Sequence, residues 1–420
     1  MPDPMEQNDR ARLHQRLRRL SGDRSARREY KPPPTPMESP HGLGQLIETP
    51  SGPAYLIEKL YSQDYQHGGC ELRQLLEFES DLAASVAQDP GLEHTGPGDL
   101  IFLDTETTGL AGGAGTLVFL VGIGQFNEHG FQLRQFFLRD PGQEQAMLQA
   151  LQESLERGAA FVTFNGRSFD LPLLDMRYQI AARRAAGLTG WPHLDLLYPS
   201  RRLWRRALSD CRLGTLEKEV LGVQRTQEDV PGALIPGMYL DYLRTGDIRE
   251  MERVVYHNAT DILSLVSLTR EVLARHRAGG IPDLSGAEAL GIARWHQIHG
   301  QSRPAEAAFR AAIEEGEDRL RLEALRHFTV HLRREDRRDE ALEFLQQWHA
   351  LDPADPAPCI ELAKYYEWQV RDLAAAREWA EKGLLCLSHW PPGWRTDRVW
   401  SEIQHRLERI TRKLMNTESG

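Results

Sequence analysis

Residues 99–275 place the tightest limit on how this chain can fold, because their apolar segments alternate in a strand-and-helix order. DLIFLDTE (99–106), LVFLVGIGQF (117–126) and FQLRQFFLRD (131–140) read as buried strands. Only NEHG separates the last two, so they should pair antiparallel. A helix over about 143–157, an apolar strand AAFVTFN (159–165), a helix from Asp170 to about Arg184 and a fifth strand in HLDLL (193–197) follow. The remainder, to about Arg275, is helical with Gly and Pro interruptions. Three antiparallel strands, then helix, strand, helix, strand, predict an α/β domain with a mixed sheet and helices on its faces.

The flanks differ from this core. Residues 1–42 hold many arginines, few apolar residues and the run KPPPTP, the composition of a disordered arm. Residues 43–98 are expected to fold and to pack on the α/β domain, with a strand near GPAYLIEKLY and one helix over LRQLLEFESDLAASVA (72–87). From 284 to 415 the chain reads as all-helical. RPAEAAFRAAI, RDEALEFLQQW and LAAAREWAEKGL recur, and aligning Ala307, Ala341 and Ala376 gives spacings of 34 and 35 residues. A period near 34 with small residues where paired helices touch is the tetratricopeptide (TPR) pattern, and such repeats offer concave surfaces to protein partners.

No apolar run approaches the ~20 residues that span a bilayer, and the charged N-terminus has no apolar stretch of the secretory kind. The four cysteines form no CxxC pair, which argues against a disulfide framework and a cysteine-rich zinc site, so a reducing cytoplasm is the expected compartment. The net charge of −10 is spread along the chain, with 22 acids against 19 bases in residues 99–275. No segment is a basic module that would grip nucleic acid by bulk charge alone.

Acids stand at three notable places. Asp104 and Glu106, in DTETTGL at the end of a strand, share one face because strand side chains alternate, and two adjacent carboxylates repel unless a cation lies between them. The glycines that follow (Gly112, Gly113, Gly115) do not fit a nucleotide-binding GxGxxG or Walker pattern. Asp170, in Phe164-Asn165-Gly-Arg-Ser-Phe169-Asp170-Leu-Pro172, begins a helix, where a capping role is the plain expectation. Asp261 follows Tyr256-His257 in an apolar-periodic helix, where an acid needs a partner or the rim of a cleft.

In this order the three motifs resemble the DEDD superfamily of 3′–5′ exonucleases, which have the ribonuclease-H-like fold. The second motif is similar to the proofreading exonuclease of family B DNA polymerases. The layout with a helical tail resembles the bacterial YprB-type family. The resemblance implies a ribonuclease-H-like mixed β-sheet flanked by helices, plus an all-α TPR-like C-terminal domain. It also implies two divalent ions, Mg²⁺ or Mn²⁺, held by Asp104, Glu106, Asp170 and Asp261, a donor set that suits hard cations. Thr107, Leu110 and Asn165 match substrate-contacting positions of such enzymes.

The chain departs from both subclasses, which place Tyr four or His five residues before the last Asp; here His257 is at four and Tyr256 at five. On a helix four residues is an offset of about 40°, and five about 140°. His257 therefore shares a face with Asp261 and is the expected water-orienting base, whereas Tyr256 is expected in the core. Asp195 is expected to be a solvated strand-end acid. Arg201, Arg202, Arg205 and Arg206 form an i,i+4 stripe beside Trp204, able to hold a phosphate backbone and stack a base or simply to face solvent. The expected activity is metal-dependent 3′–5′ exonuclease action on single-stranded DNA or RNA. A non-catalytic adaptor and a structure-specific endonuclease are the alternatives, and the sequence leaves the oligomeric state open.

Overall fold

A computed structural model describes residues 43–109, 115–226, 229–277 and 284–418. The proposed arm and Leu110 lie outside the described residues. Nine strands are described: β1 (Gln45–Thr49), β2 (Gly52–Tyr61), β3 (Gln66–His67), β4 (Cys70–Glu71), β5 (Leu100–Thr107), β6 (Val118–Asn127), β7 (Gly130–Phe137), β8 (Ala160–Thr163) and β9 (His193–Asp195). Seven of them make one sheet in the order β1-β2-β7-β6-β5-β8-β9. Pairing is antiparallel from β1 across to β5 and parallel through β8 and β9.

Strand β5 shows why its sequence is an unbroken apolar run. Leu100 and Phe102 enter the core on one face, Ile101 and Leu103 the core on the other, and all four are buried. Burial on both sides removes the polar alternation of a half-exposed strand. Asp104 and Glu106 continue the Leu100/Phe102 row at the strand's open end.

The helices of the α/β region are α1 (Ser80–Ala87), α2 (Glu144–Leu155), α3 (Asp170–Ala181), α4 (Leu197–Trp204), α5 (Leu213–Leu216), α6 (Ile235–Thr245) and α7 (Arg249–His276). The 28-residue α7 packs on β5, β6 and β7. Residues 43–98 do more than pack on this domain. Their β2 pairs with β7 from Tyr55↔Phe137 to Tyr61↔Phe131, so they extend the central sheet itself.

The single helix expected over 72–87 is two elements. Leu72–Glu77 is 3₁₀, Phe78 and Glu79 are extended, and α1 follows. Leu72, Leu75 and Phe78 are all buried at a spacing of three, the period of a 3₁₀ turn, and seating Phe78 ends the helix. HLDLL likewise stops as a strand at Asp195, and Leu197 already begins α4.

The tail is α8 (Gly286–Ile298), α9 (Ser302–Glu315), α10 (Asp318–Arg334), α11 (Arg338–Leu351), α12 (Pro356–Tyr365), α13 (Leu373–Leu387) and α14 (Trp394–Glu418), each packed on the next. Its internal period differs from the sequence alignment, because Ala307 is exposed. The buried alanine at the fourth position of α9 is Ala305, matching Ala341 in α11 and Ala376 in α13, all 0 % exposed. Helix contact, rather than motif similarity, selects which alanine must be small.

The tail shares a core with the sheet domain. Trp204 Nε1 donates to Glu288 Oε1 at 2.8 Å, the Arg202 guanidinium lies over the Trp295 ring at 6.0 Å from its centroid, and Arg206 pairs with Glu323 at 2.8 Å. Among the described residues no helix is long and apolar enough to cross a membrane.

Candidate metal and active site

Four carboxylates from three separate segments converge beside β5. Asp104 and Glu106 project from its open end, Asp170 from the first turn of α3 and Asp261 from the middle of α7. Asp170 does not cap its helix: the N-cap residue is Phe169, which makes no side-chain cap bond, and Asp170 instead accepts from Thr105 Oγ1 at 2.5 Å. The loop ahead of α3 is held by Asp195. This acid is 4 % exposed, not solvated as expected, and its carboxylate accepts from the backbone N–H groups of Asn165 (2.7 Å), Arg167 (3.2 Å) and Leu197 (3.1 Å). Those bonds hold Asn165 at φ 66°, a left-handed conformation that asparagine tolerates better than most residues.

Electrostatically the cluster asks for cations. Burial pushes the Asp104 and Glu106 carboxyls well above their usual range, and the charge of Asp261 adds to the rise in both. Burial takes Asp170 up to about 6 against the Thr105 hydrogen bond, and raises Asp261 against the pull of His257 and Arg225. Hard oxygen donors that repel one another in this way fit Mg²⁺ or Mn²⁺.

The chain also supplies a cation of its own, which sequence reading missed. The Arg225 guanidinium pairs with Glu217 at 2.6 Å, with Asp229 at 3.2 Å and with Asp261. These partners push its own affinity for a proton further up against the cost of burial. Arg225 lies in a coil without periodicity, so no local pattern marks it.

His257 falls beside Asp261 as the four-residue spacing predicts, with Nε2 3.6 Å from Asp261 Oδ2. Its other nitrogen, Nδ1, is 2.7 Å from Asp229 Oδ1 and 2.9 Å from Arg225 Nη1. Glu106, His257 and Asp261 offer ligand atoms within 4.8 Å of one another. Tyr256 turns to the other flank of α7. It is half-buried rather than core, and with Lys59, Tyr61, Tyr65 and Arg225 it lines a cavity of about 600 Å³.

Asn258 is a second residue the sequence did not flag. Its Nδ2 donates to Asp104 Oδ2 at 2.8 Å, and its Oδ1 accepts from buried Gln135 Nε2 at 2.8 Å. Gly122 on β6 makes room for it, since a Cβ there would lie 2.2 Å from Asn258 Oδ1. Gly122→Ala should therefore displace the amide from Asp104 and weaken Mn²⁺ binding about 10- to 100-fold, the scale for losing a residue that orients a metal ligand. Calorimetric titration would measure it, and unchanged affinity would remove Asn258 from the site.

A pH effect follows from the raised carboxyls. A group whose folded pKa exceeds its unfolded value contributes stability below the unfolded pKa, and that stability is lost as pH rises through the folded pKa. The metal-free protein should lose stability as pH climbs from about 4 through 6. For Asp170 the rise to about 6 is worth about 3 kcal/mol, or roughly 3–4 °C in Tm for a chain of this size. Melting curves with and without Mn²⁺ would check this, because saturating Mn²⁺ should flatten the decline.

Among the remaining expected site residues, Thr107 Oγ1 is engaged with Gly109 O at 3.0 Å next to a register shift in β5. Arg201 and Arg205 stay exposed on and just after α4, while Trp204 is buried against Glu288 and cannot stack a base. The four-arginine stripe is thus divided, with Arg202 and Arg206 serving the contact with the tail.

Comparison with known proteins bears on the family and the fold. The profile of the RNase_H superfamily matches residues 101–273. The uncharacterized protein YprB of Bacillus subtilis (strain 168) is 31% identical over 374 residues, covering 84% of each chain. Among solved structures, the family B DNA polymerase of the hyperthermophilic archaeon Pyrobaculum calidifontis aligns at 14% identity over 48% of this chain, with a TM-score of 0.32. This chain covers 29% of the polymerase, and a match so partial carries no argument. With a superfamily profile spanning the strands and helices that bring the acids together, and a relative aligned along most of both chains, this protein belongs to the YprB family within the ribonuclease H superfamily.

Proposed function

We propose that the protein is a metal-dependent 3′–5′ exonuclease acting on the ends of single-stranded DNA or RNA. The observation that carries this reading is the convergence of Asp104, Glu106, Asp170 and Asp261 beside a histidine whose Nε2 lies 3.6 Å from Asp261 Oδ2. Two Mg²⁺ or Mn²⁺ ions held by those four carboxylates would supply Lewis acidity to the scissile phosphate and acidify the attacking water.

The chain's own residues do the rest. Asp229 can only accept at His257 Nδ1, whereas Arg225 has three carboxylates to satisfy, so Nδ1 carries the proton and Nε2 is left as the base. Nε2 takes a proton from water as the water oxygen bonds to phosphorus. The bond from phosphorus to O3′ of the penultimate nucleotide breaks, and that oxygen is protonated from solvent. The products are a nucleoside 5′-monophosphate and a strand one nucleotide shorter. Arg201 and Arg205, exposed on and just after α4, would hold the incoming backbone; by the family resemblance Thr107, Leu110 and Asn165 would contact the terminal nucleotide, and the helical tail would bind a protein partner.

One observation favours a second reading, a non-catalytic adaptor: Arg225 already neutralises part of the cluster as a metal ion would. The test is digestion of 5′-labelled single-stranded DNA and RNA with Mg²⁺ or Mn²⁺. A ladder shortening from the 3′ end supports the exonuclease. Cleavage of circular strands would make the site endonucleolytic, and intact polymers without Mn²⁺ binding would favour the adaptor.

A further inference from the structure

The cysteines look isolated in the sequence, yet folding brings two of them to one histidine. His349 lies on α11, Cys359 on α12 and Cys386 on α13, three successive helices of the tail. The imidazole nitrogen and both sulfurs fall within 4.8 Å of one another. His349 Nδ1 is 3.4 Å from Cys359 Sγ, and the Trp379 ring stands edge-on to the imidazole with centroids 5.5 Å apart. Cys359 is 0 % and Cys386 3 % exposed, while His349 is half-buried at the edge of the group.

Burial of small thiols between helices is ordinary packing, and Cys386 Sγ donates to Lys382 O at 3.2 Å in the way a core cysteine does. Packing does not explain why the imidazole turns a ring nitrogen onto a sulfur, a weak partner. Two sulfurs and an imidazole are a soft donor set, unlike the carboxylates of the nuclease site.

We propose that His349, Cys359 and Cys386 form a second metal site, for Zn²⁺ or a comparably thiophilic divalent ion, which ties α11, α12 and α13 together and leaves its fourth position to water or an added ligand. Three protein ligands of this kind leave a tetrahedral ion one open position. Binding releases two protons, one from each thiol, and moves no electrons. Burial, with Cys386 alongside, pushes the Cys359 thiol up to about 12, so its proton leaves only in exchange for the metal. The charges of Asp352 and Asp355 act in favour of a cation at the thiols, and that of Lys382 against it. Lys382 is drawn off toward Glu378 at 2.8 Å and over the Trp379 ring.

The test uses the reduced full-length protein titrated with Co²⁺. Sulfur ligation gives a thiolate-to-cobalt charge-transfer band in the near ultraviolet, which the carboxylate site cannot produce, so the outcome is independent of the nuclease reading. One equivalent should saturate the band. Cys359→Ser and Cys386→Ser should abolish it, His349→Ala should weaken binding by about tenfold or more, and Asp104→Asn should leave it intact. Circular dichroism would show which variants keep their helices, and His349→Ala, altering a half-buried side chain, gives a result if a cysteine variant unfolds. No band with the wild type, a band that survives Cys386→Ser, or loss of both thiols to a disulfide without metal would each overturn the proposal.

Discussion

Asp104→Asn should reduce nuclease activity by about 10³-fold or more while leaving the protein folded. The loss is of the order expected when a main electrostatic contact to the reacting group is removed. Folding should survive because an asparagine oxygen still accepts from Asn258 Nδ2, 2.8 Å away in the wild type. The metal-free variant should even melt higher than the wild type. Asp104 is held well above its ordinary range by burial and by Asp261, Glu106 and Asp170, and its neutral replacement removes that repulsion. Activity assays beside melting curves check both halves. A variant that is both inactive and destabilised would mean that Asp104 is structural, and a fully active one would end the metal-site reading.

His257→Ala should slow turnover by about 10²- to 10⁴-fold, the range for losing a general base. Mn²⁺ affinity should barely change, and added imidazole should restore part of the rate. This combination separates a base from a ligand. Glu106, His257 and Asp261 are close enough to share one ion, so a large fall in Mn²⁺ affinity would instead make His257 a ligand. Asp229→Asn tests the same idea from behind. It weakens the partner of Nδ1 without touching Nε2, and should lower the rate without changing metal stoichiometry.

Much of this architecture was legible before any coordinates. The succession of strands and helices along the chain from β5 to β9, the antiparallel β6–β7 hairpin, the common face of Asp104 and Glu106 and the pairing of His257 with Asp261 all follow from a short turn and from repeats of two and about 3.6 residues. Those repeats arise from backbone geometry within a few residues, so a linear sequence carries them.

What the tertiary structure alone decided is which polar groups meet. Arg225 reaches Asp261, Asn258 reaches Asp104 and Trp204 reaches Glu288 across gaps of 36, 154 and 84 residues. Asp195 is buried because three backbone N–H groups need an acceptor, and α12 and α13 carry Cys359 to Cys386 without any CxxC spacing. A buried charge or amide must find its partner wherever the packed chain brings one, and that requirement has no period along the sequence.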